Sequence, residues 1–372
     1  MSPEQSAVVQ LNMVSEIGPK KIVSLVNYFG SAVNVLNAGI GDLQKVEKIT
    51  EKTALSIKKT ADSKKIDNEI KLAKDNNINI VTYMDESYPE QLKDIYDFPP
   101  VLYIKGNLKK NDKVSVAVVG SRTPTNYGRS VTNHFCKYFA ENDICVISGL
   151  ARGIDTEAHQ TVLKNNGRTI AVLGNGLLHY YPSENRKLQD QIGRDNVLIS
   201  EFPLQQKPEK TTFPRRNRII AGLSMATVIT EAIIESGAMI TAKLGLDYGR
   251  DVFAVPGSIF SNYSKGPNSL IKDGSLIALK PEDVVESIHS LSLWVTKKKK
   301  QKKLTTKNIN DITNTRNLKV LKLIESAVDG ISVDKLSQDT KIDIPELAMI
   351  LMDLELDGFV RAMPGQVYIR NR

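Results

Sequence analysis

Six short apolar runs, separated by stretches with helical spacing, constrain what this chain can fold into. They are V-S-V-A-V-V-G (114–120), I-C-V-I-S-G (144–149), T-I-A-V-L-G (169–174), N-V-L-I-S-E (196–201), A-T-V-I-T-E (226–231) and D-V-F-A-V-P (251–256). A strand with one wet face alternates polar and apolar residues. These runs do not alternate, so both faces are covered, as in a parallel sheet. Amphipathic helices between consecutive strands supply the cover. The pattern predicts a doubly wound, mostly parallel α/β sheet of extended Rossmann-like type. The preceding stretch, 79–110, carries P-P-V-L-Y-I-K-G and extends the sheet at one edge.

The pattern changes on either side of this block. Residues 1–64 read as short helices broken by glycine, with I-G-P-K-K-I-V-S-L-V-N-Y-F-G at 17–30 and a weaker copy at 49–60. The first copy fits a helix-hairpin-helix, whose glycine turn offers backbone N–H groups to a phosphate. It fits equally a small bundle that serves packing or partner contact. Residues 293–317 are lysine-rich and without periodicity, which predicts a disordered linker. Residues 318–372 give a helix, a helix-turn-helix and a terminal strand hairpin, the order of a winged helix. Its candidate recognition helix, P-E-L-A-M-I-L-M-D-L-E-L, is acidic, which argues against a reader of the DNA major groove. The expected regions are thus 1–64, 65–292, 293–317 and 318–372.

Charge narrows the partner. The net charge of +8 over 372 residues comes largely from six lysines at 297–300, 302 and 303; without them the excess is +2. A nucleic-acid site in the folded part must therefore be a local patch. No apolar run approaches the roughly 20 residues that span a bilayer, and M-S-P-E-Q-S does not begin a signal peptide, so a cytoplasmic protein without membrane insertion is expected. Cys136 and Cys145 read as buried free thiols. His134, His159, His179 and His289 show no metal-ligand spacing, so neither metal nor cofactor is expected.

In an open parallel sheet, ligands sit beyond the carboxyl ends of the strands. Several of these ends suit an anion. The first continues G-S-R-T-P-T-N-Y-G, where Gly120 allows close approach, Ser121 donates and Arg122 is charged. The second continues S-G-L-A-R-G-I-D, where Ser148 and Gly149 lead into a helix starting near Gly153 with free N–H groups. The fifth leads to a helix starting near Gly237. No G-x-G-x-x-G follows the first strand and no phosphate-binding loop of the G-x-x-x-x-G-K-[ST] type occurs. Glu231 and Glu235 could do acid–base work, but Glu231 at a strand end could equally cap the next turn.

Residues 210–224, K-T-T-F-P-R-R-N-R-I-I-A-G-L-S, add the strongest local signal. A helix beginning near Pro214 is expected to anchor on Ile219, Ile220 and Leu223, with Arg215, Arg216 and Arg218 facing outward and Asn217 among them. Lys210 and Phe213 place a cation and a flat ring just ahead, the pairing that binds single strands through phosphate and base. Phe213 could equally be a core anchor.

Read together, G-S-R-T-P-T-N-Y-G, S-G-L-A-R-G-I-D-T-E-A-H, V-L-G-N-G-L, Y-P-S-E-N, F-P-R-R-N-R-I-I-A-G-L-S, E-S-G-A-M-I-T-A, G-R-D-V-F-A-V-P-G and G-P-N-S-L-I-K-D-G strongly resemble the DprA/Smf family of DNA-processing proteins. The match runs over essentially the whole chain. The resemblance implies a non-catalytic protein that binds incoming single-stranded DNA in natural transformation, shields it from nucleases and helps load RecA. It also implies a homodimer formed through the Rossmann-like domain. Family contacts to phosphate and base fall on Ser121, Arg122, Ser148, Gly149, Lys210, Phe213, Arg216 and Asn217. Gln205 and Gln206 stand where the family usually has a glycine, Thr230 alters the V-V-E-A pattern, and Leu178 and His179 depart before Y-P. Two rivals stand beside this reading. A nucleotide phosphoribohydrolase would need a P-G-G-x-G-T-x-x-E segment that is absent here. A general DNA-binding scaffold outside transformation would share every motif.

Overall fold

The computed structural model describes residues 1–14, 16–60, 63–306, 315–327, 330–356 and 359–370. They form two compact units, 1–291 and 292–372.

The first unit is built on a nine-stranded sheet. Its strands are β1 (Ile78–Thr82), β2 (Val101–Gly106), β3 (Ser115–Val119), β4 (Cys145–Ser148), β5 (Thr169–Val172), β6 (Val197–Ser200), β7 (Ala226–Ile229), β8 (Asp251–Ala254) and β9 (Leu276–Ile277). Their order is β1-β2-β6-β5-β4-β3-β7-β8-β9. From β6 to β9 every pair is parallel, while β1 and β2 form an antiparallel extension on β6. The runs read as doubly covered strands are the inner strands, and β3 to β7 are buried along their whole length.

Crossovers from β3 run leftward to β4, whereas β6 returns to β7 on the other side of β3. Right-handed connections then place the Asn126–Glu141 and Ile154–Lys164 helices on one face and Thr212–Leu223 and Gly237–Asp247 on the other. The strand order reverses between β3 and β7, and a crevice opens there beyond their carboxyl ends.

The N-terminal helices do not stand apart from this sheet. Leu11, Ile22, Leu25 and Ile57 share one apolar cluster with Val101 and Tyr103 of β2 and with Leu204, and the Ser63–Asp75 helix runs through the boundary expected at 64/65. Each fully buried aliphatic side chain contributes about 1.5–3 kcal/mol here, so this interface is part of the core. Two polar bonds add direction: the Asn12 side-chain amide donates to the Glu201 carbonyl (2.9 Å), and the Leu204 amide donates to the Glu69 carboxylate (2.7 Å). Both fall on the loop that leads to the arginine helix.

The lysine-rich stretch expected to be disordered is helical as far as Thr306, within a helix His289–Thr306. Lysine is a good helix former and Leu291 and Val295 are buried, a start that the lack of apolar periodicity further along conceals. Residues 307–314 of that expected linker lie outside the described residues.

The second unit holds helices Thr315–Ser326, Val333–Thr340 and Ile344–Leu356 and strands β10 (Ile331–Ser332), β11 (Val360–Met363) and β12 (Val367–Arg370), in the order β10-β12-β11. Val320, Ile324, Leu336, Leu347, Leu351 and Val360 form its core. This is a winged helix. No helix among the described residues is long and apolar enough to cross a membrane, and no cluster of His, Cys, Asp or Glu among them could hold a metal. Cys136 and Cys145 are buried free thiols.

One buried base ties the stability of the first unit to pH. His159 is 0% exposed, its Nδ1 lies 2.7 Å from the Thr169 hydroxyl, and burial, aided by Arg216, lowers its pKa to about 3. The unfolded chain takes up that proton near pH 6.5 and the folded one does not. This contribution to stability is therefore present above pH 6.5 and lost as pH falls toward 3, by about 1.4 kcal/mol per pH unit. Urea unfolding at a series of pH values should show a steeper acid loss in the wild type than in His159→Gln; parallel curves would contradict it.

Candidate nucleic-acid interface

A cleft of about 790 Å³ lies in the crevice between β3 and β7. The segment after β3 makes one wall. Gly120 is required there by packing, since a Cβ would stand 2.7 Å from both the Glu231 carbonyl and the Ile154 side chain. The Ser121 amide donates to the Glu231 carbonyl (2.6 Å), and the Ser121 carbonyl accepts from the Ile154 amide (3.0 Å). Gly153, which begins that next helix, has φ +77°, and a Cβ on it would run into the backbone of Ser121 and Arg122. Glu231 is 1% exposed, and its carboxylate accepts from the Thr125 amide (2.9 Å) and hydroxyl (2.5 Å). Glu231 thus holds the segment that follows Arg122, and not the turn after its own strand as the capping alternative had it.

The floor is made by the Thr212–Leu223 helix, and here the outward orientation expected of its arginines is corrected. Arg216 and Arg218 are 4% and 5% exposed. Arg216 Nη1 donates to the carbonyls of Gly149 and Val172, at the ends of β4 and β5, and its Nε donates to Asn217 Oδ1 (3.1 Å). Burial lowers its pKa to about 10, opposed by Asp155 and assisted by Arg122, which leaves it charged at neutral pH. Asp155, whose pKa burial raises against the pull of Arg216, accepts from the amides of Gly149 (3.1 Å) and Ala151 (3.4 Å). Arg218 is held by the buried Glu201 carboxylate and the Asp97 carbonyl. Only Arg215 points out, with its side chain 43% exposed and its guanidinium 4.9 Å over the Phe202 ring. The inward turn follows from acceptors that tertiary structure supplies beneath the helix.

Above the floor stands an aromatic pair. The Phe213 ring is half-buried, with the Arg122 guanidinium 5.7 Å from its centroid and the Tyr181 ring 5.0 Å away at 35°. Lys210 is exposed at the same cleft. The loop that carries Lys210 is held to the strand-end segment after β5. The Gly176 amide donates to the Gln206 carbonyl (2.9 Å), and His179 Nε2 lies 2.9 Å from the Gln205 carbonyl. The departures at Gln205, Gln206 and His179 thus meet each other.

Gly120, Ser121, Arg122, Lys210, Phe213, Arg216, Asn217 and Gly237 all line the cleft. Asn217 also ties the walls together, donating to the Gly237 carbonyl (3.1 Å). Ser148 and Gly149 lie beneath: the Ser148 hydroxyl donates to the Val118 carbonyl (2.7 Å), and Gly149 receives Arg216. Arg215 and Arg218 lie off the cleft. Tyr181 and Tyr263 were missed. Tyr181 sits in the quoted Y-Y-P-S-E-N, but its approach to Phe213 is a tertiary contact; Tyr263, whose hydroxyl is 3.4 Å from Thr123 Oγ1, has no local signal.

Burial separates the arginines in a testable way. Arg218→Met strands the Glu201 carboxylate in the interior and should lower stability by roughly 3–5 kcal/mol, whereas Arg215→Ala should change it by less than about 1 kcal/mol. Urea unfolding of both variants checks this, and equal small losses would contradict the inward assignment.

Comparison with known proteins identifies the family. The family model for DNA recombination-mediator protein A matches residues 79–289, and that for the DprA winged helix domain matches 313–366. The chain is 36% identical over 298 residues to protein Smf of Escherichia coli, covering 80% of this chain and 78% of that one. It is 44% identical over 202 residues to DNA processing protein DprA of Streptococcus pneumoniae, covering 54% and 71%. The X-ray structure of the S. pneumoniae protein superposes with a TM-score of 0.69 at 33% identity, over 78% of this chain and 99% of that one. DNA processing protein A from Helicobacter pylori, described for its single-stranded DNA binding mode, gives a TM-score of 0.52 at 28% identity over 56% and 94%. Fold and winged helix converge with these matches, and the chain belongs to the DprA/Smf family.

Proposed function

We propose that the cleft holds a segment of single-stranded DNA, with phosphates against Arg122, Lys210 and the start of the Gly237–Asp247 helix and a base against Phe213. The observation that carries this reading is the cation-and-ring pair, Arg122 over Phe213 with Tyr181 beside it, inside the crevice where an α/β sheet takes its ligand. Unpaired bases can stack on such a ring; a blunt duplex keeps its bases stacked on each other. Arg216 and Asn217 act from below, holding the floor with one guanidinium edge toward the cleft. That the H. pylori protein binds single-stranded DNA supports a single strand as the ligand.

A non-catalytic role fits how the carboxylates are used. Glu231 is taken up by Thr125, and Asp155 by two backbone amides and the neighbouring Arg216. Neither is free to act on a nucleotide, which leaves the phosphoribohydrolase rival only Glu235 of the two carboxylates considered for acid–base work, exposed in the loop before the Gly237–Asp247 helix. Within this reading the protein acts in the cytoplasm, covers incoming strands during transformation and helps load RecA. It works as a homodimer: Ile259 and Phe260 in the loop after β8 and Leu279 just after the edge strand β9 are 77, 93 and 75% exposed, apolar side chains that a second copy would cover.

Titration of the full chain against matched oligonucleotides tests the reading. Single strands should bind more tightly than blunt duplex, with a logarithmic salt slope near 0.7 per neutralised phosphate. Arg122→Ala with Phe213→Ala should lower single-strand affinity about 10- to 100-fold and bring it close to that for duplex. Equal affinity of the wild type for both, or base release from nucleoside monophosphates, would contradict it.

A further inference from the structure

A second groove, about 530 Å³, adjoins the cleft, and nothing above assigns it a role. Its two walls come from regions far apart in sequence: the glycine turn Gly18-Pro19-Lys20-Lys21 on one side and Arg215 on the other. Pro214 and Ile240 line both depressions, so the groove begins where the cleft ends. Ile240 is 42% exposed and forms an apolar sill between them.

Its charge is mainly basic. Lys20 is exposed and Lys21 half-buried, and Arg215 is 43% exposed. The carboxylates near them are those of Asp97, which accepts from the Tyr248 hydroxyl (2.7 Å), and of Asp247, which precedes Tyr248 in sequence and lies near Tyr96. Among the described residues, Lys21 Nζ has the Glu16 carbonyl at 3.4 Å, and Arg215 reaches Glu201 at 3.6 Å, behind Arg218. No ion pair shorter than 3.6 Å holds these cations among the described residues. An exposed ring stands among them: Tyr96 is 60% exposed, with Lys20 Nζ 4.3 Å from its centroid. A cation against an accessible ring is the pairing that Arg122 and Phe213 make next door. The backbone leaves room as well. No side chain caps the Pro19–Phe29 helix, and a Cβ at Gly18 would meet nothing within 4 Å.

Resting on the single-strand reading of the cleft, we propose that the strand leaving Phe213 crosses Pro214 and Ile240 and runs on into this groove. There Lys20, Lys21 and Arg215 take its phosphates, and Tyr96 offers a second stacking surface. The occupant is single-stranded nucleic acid, because the groove is basic and continuous with a site of the same chemistry. The N-terminal turn then reads as the phosphate-binding alternative of its two sequence readings. The arrangement also gives the N-terminal helices a reason to be fixed to the sheet: a strand tracked across both regions needs them in constant register.

The two sites separate by strand length. Oligothymidylates from about 4 to about 16 nucleotides are titrated against the full chain and against Lys20→Gln with Lys21→Gln, two surface changes whose thermal midpoint serves as the folding control. The shortest oligonucleotides, which fill the cleft alone, should bind both proteins equally. The longest should bind the variant about 10-fold more weakly, with the salt slope reduced by about 1.4 for the two lost phosphate contacts. Equal affinity and slope at every length would overturn the groove while leaving the cleft intact. A uniform loss at every length would overturn it as a separate extension. Failure of the wild type to bind the short oligonucleotides would overturn the cleft reading and this inference with it.

Discussion

The Arg216 guanidinium donates to the carbonyls of Gly149 and Val172 from a side chain that is 4% exposed. Burying a cation costs several kcal/mol, and the structure offsets this with the two strand-end carbonyls, Asn217 and the nearby Asp155. In return the Thr212–Leu223 helix is fixed to the carboxyl edge of the sheet at one register. Phe213 precedes Arg216 on the same helix and Asn217 follows it, so that register places both the ring and the tie to Gly237. The opposite wall is fixed by another buried charge, Glu231, which holds Thr125 and the loop that carries Arg122. Two buried ionised groups therefore position the exposed ones that face the ligand.

This division between buried and exposed cations explains why a protein with little excess charge outside its lysine run can still present a local basic site. Arg216 and Arg218 are consumed by internal acceptors and contribute geometry. Arg122, Lys210 and Arg215 remain at the surface and contribute field. The N-terminal helices join the same frame through Asn12 and Glu69, which grip the loop at Glu201 and Leu204.

Much of the sheet was legible because burial on both faces leaves continuous apolar runs, a signal that needs no knowledge of neighbours. β3 to β8 stand where those runs lie, and the helices expected near Gly153 and Gly237 begin at Ile154 and Gly237. Arginine orientation was not legible. Sequence shows three cations in four positions but not the carbonyls and the carboxylate waiting beneath them. Tyr181 escaped for a similar reason, since its partner Phe213 is brought to it by a crossover between distant strands. The fusion of the N-terminal helices with the sheet was hidden because apolar residues that serve an inter-region core look the same as those that serve a local bundle. The helix through 289–306 was hidden because its lysines favour helix without giving it an apolar stripe.

Photocrosslinking tests the central claim most directly: that a base of single-stranded DNA rests on the Phe213 ring in the crevice between β3 and β7. An oligothymidylate carrying 4-thiothymidine is bound to the full chain, irradiated and mapped by mass spectrometry of the peptides. The account predicts adducts on the segments containing Phe213, Tyr181 and Arg122. Adducts confined to the lysine-rich helix or the winged helix, with the crevice unlabelled, would contradict it.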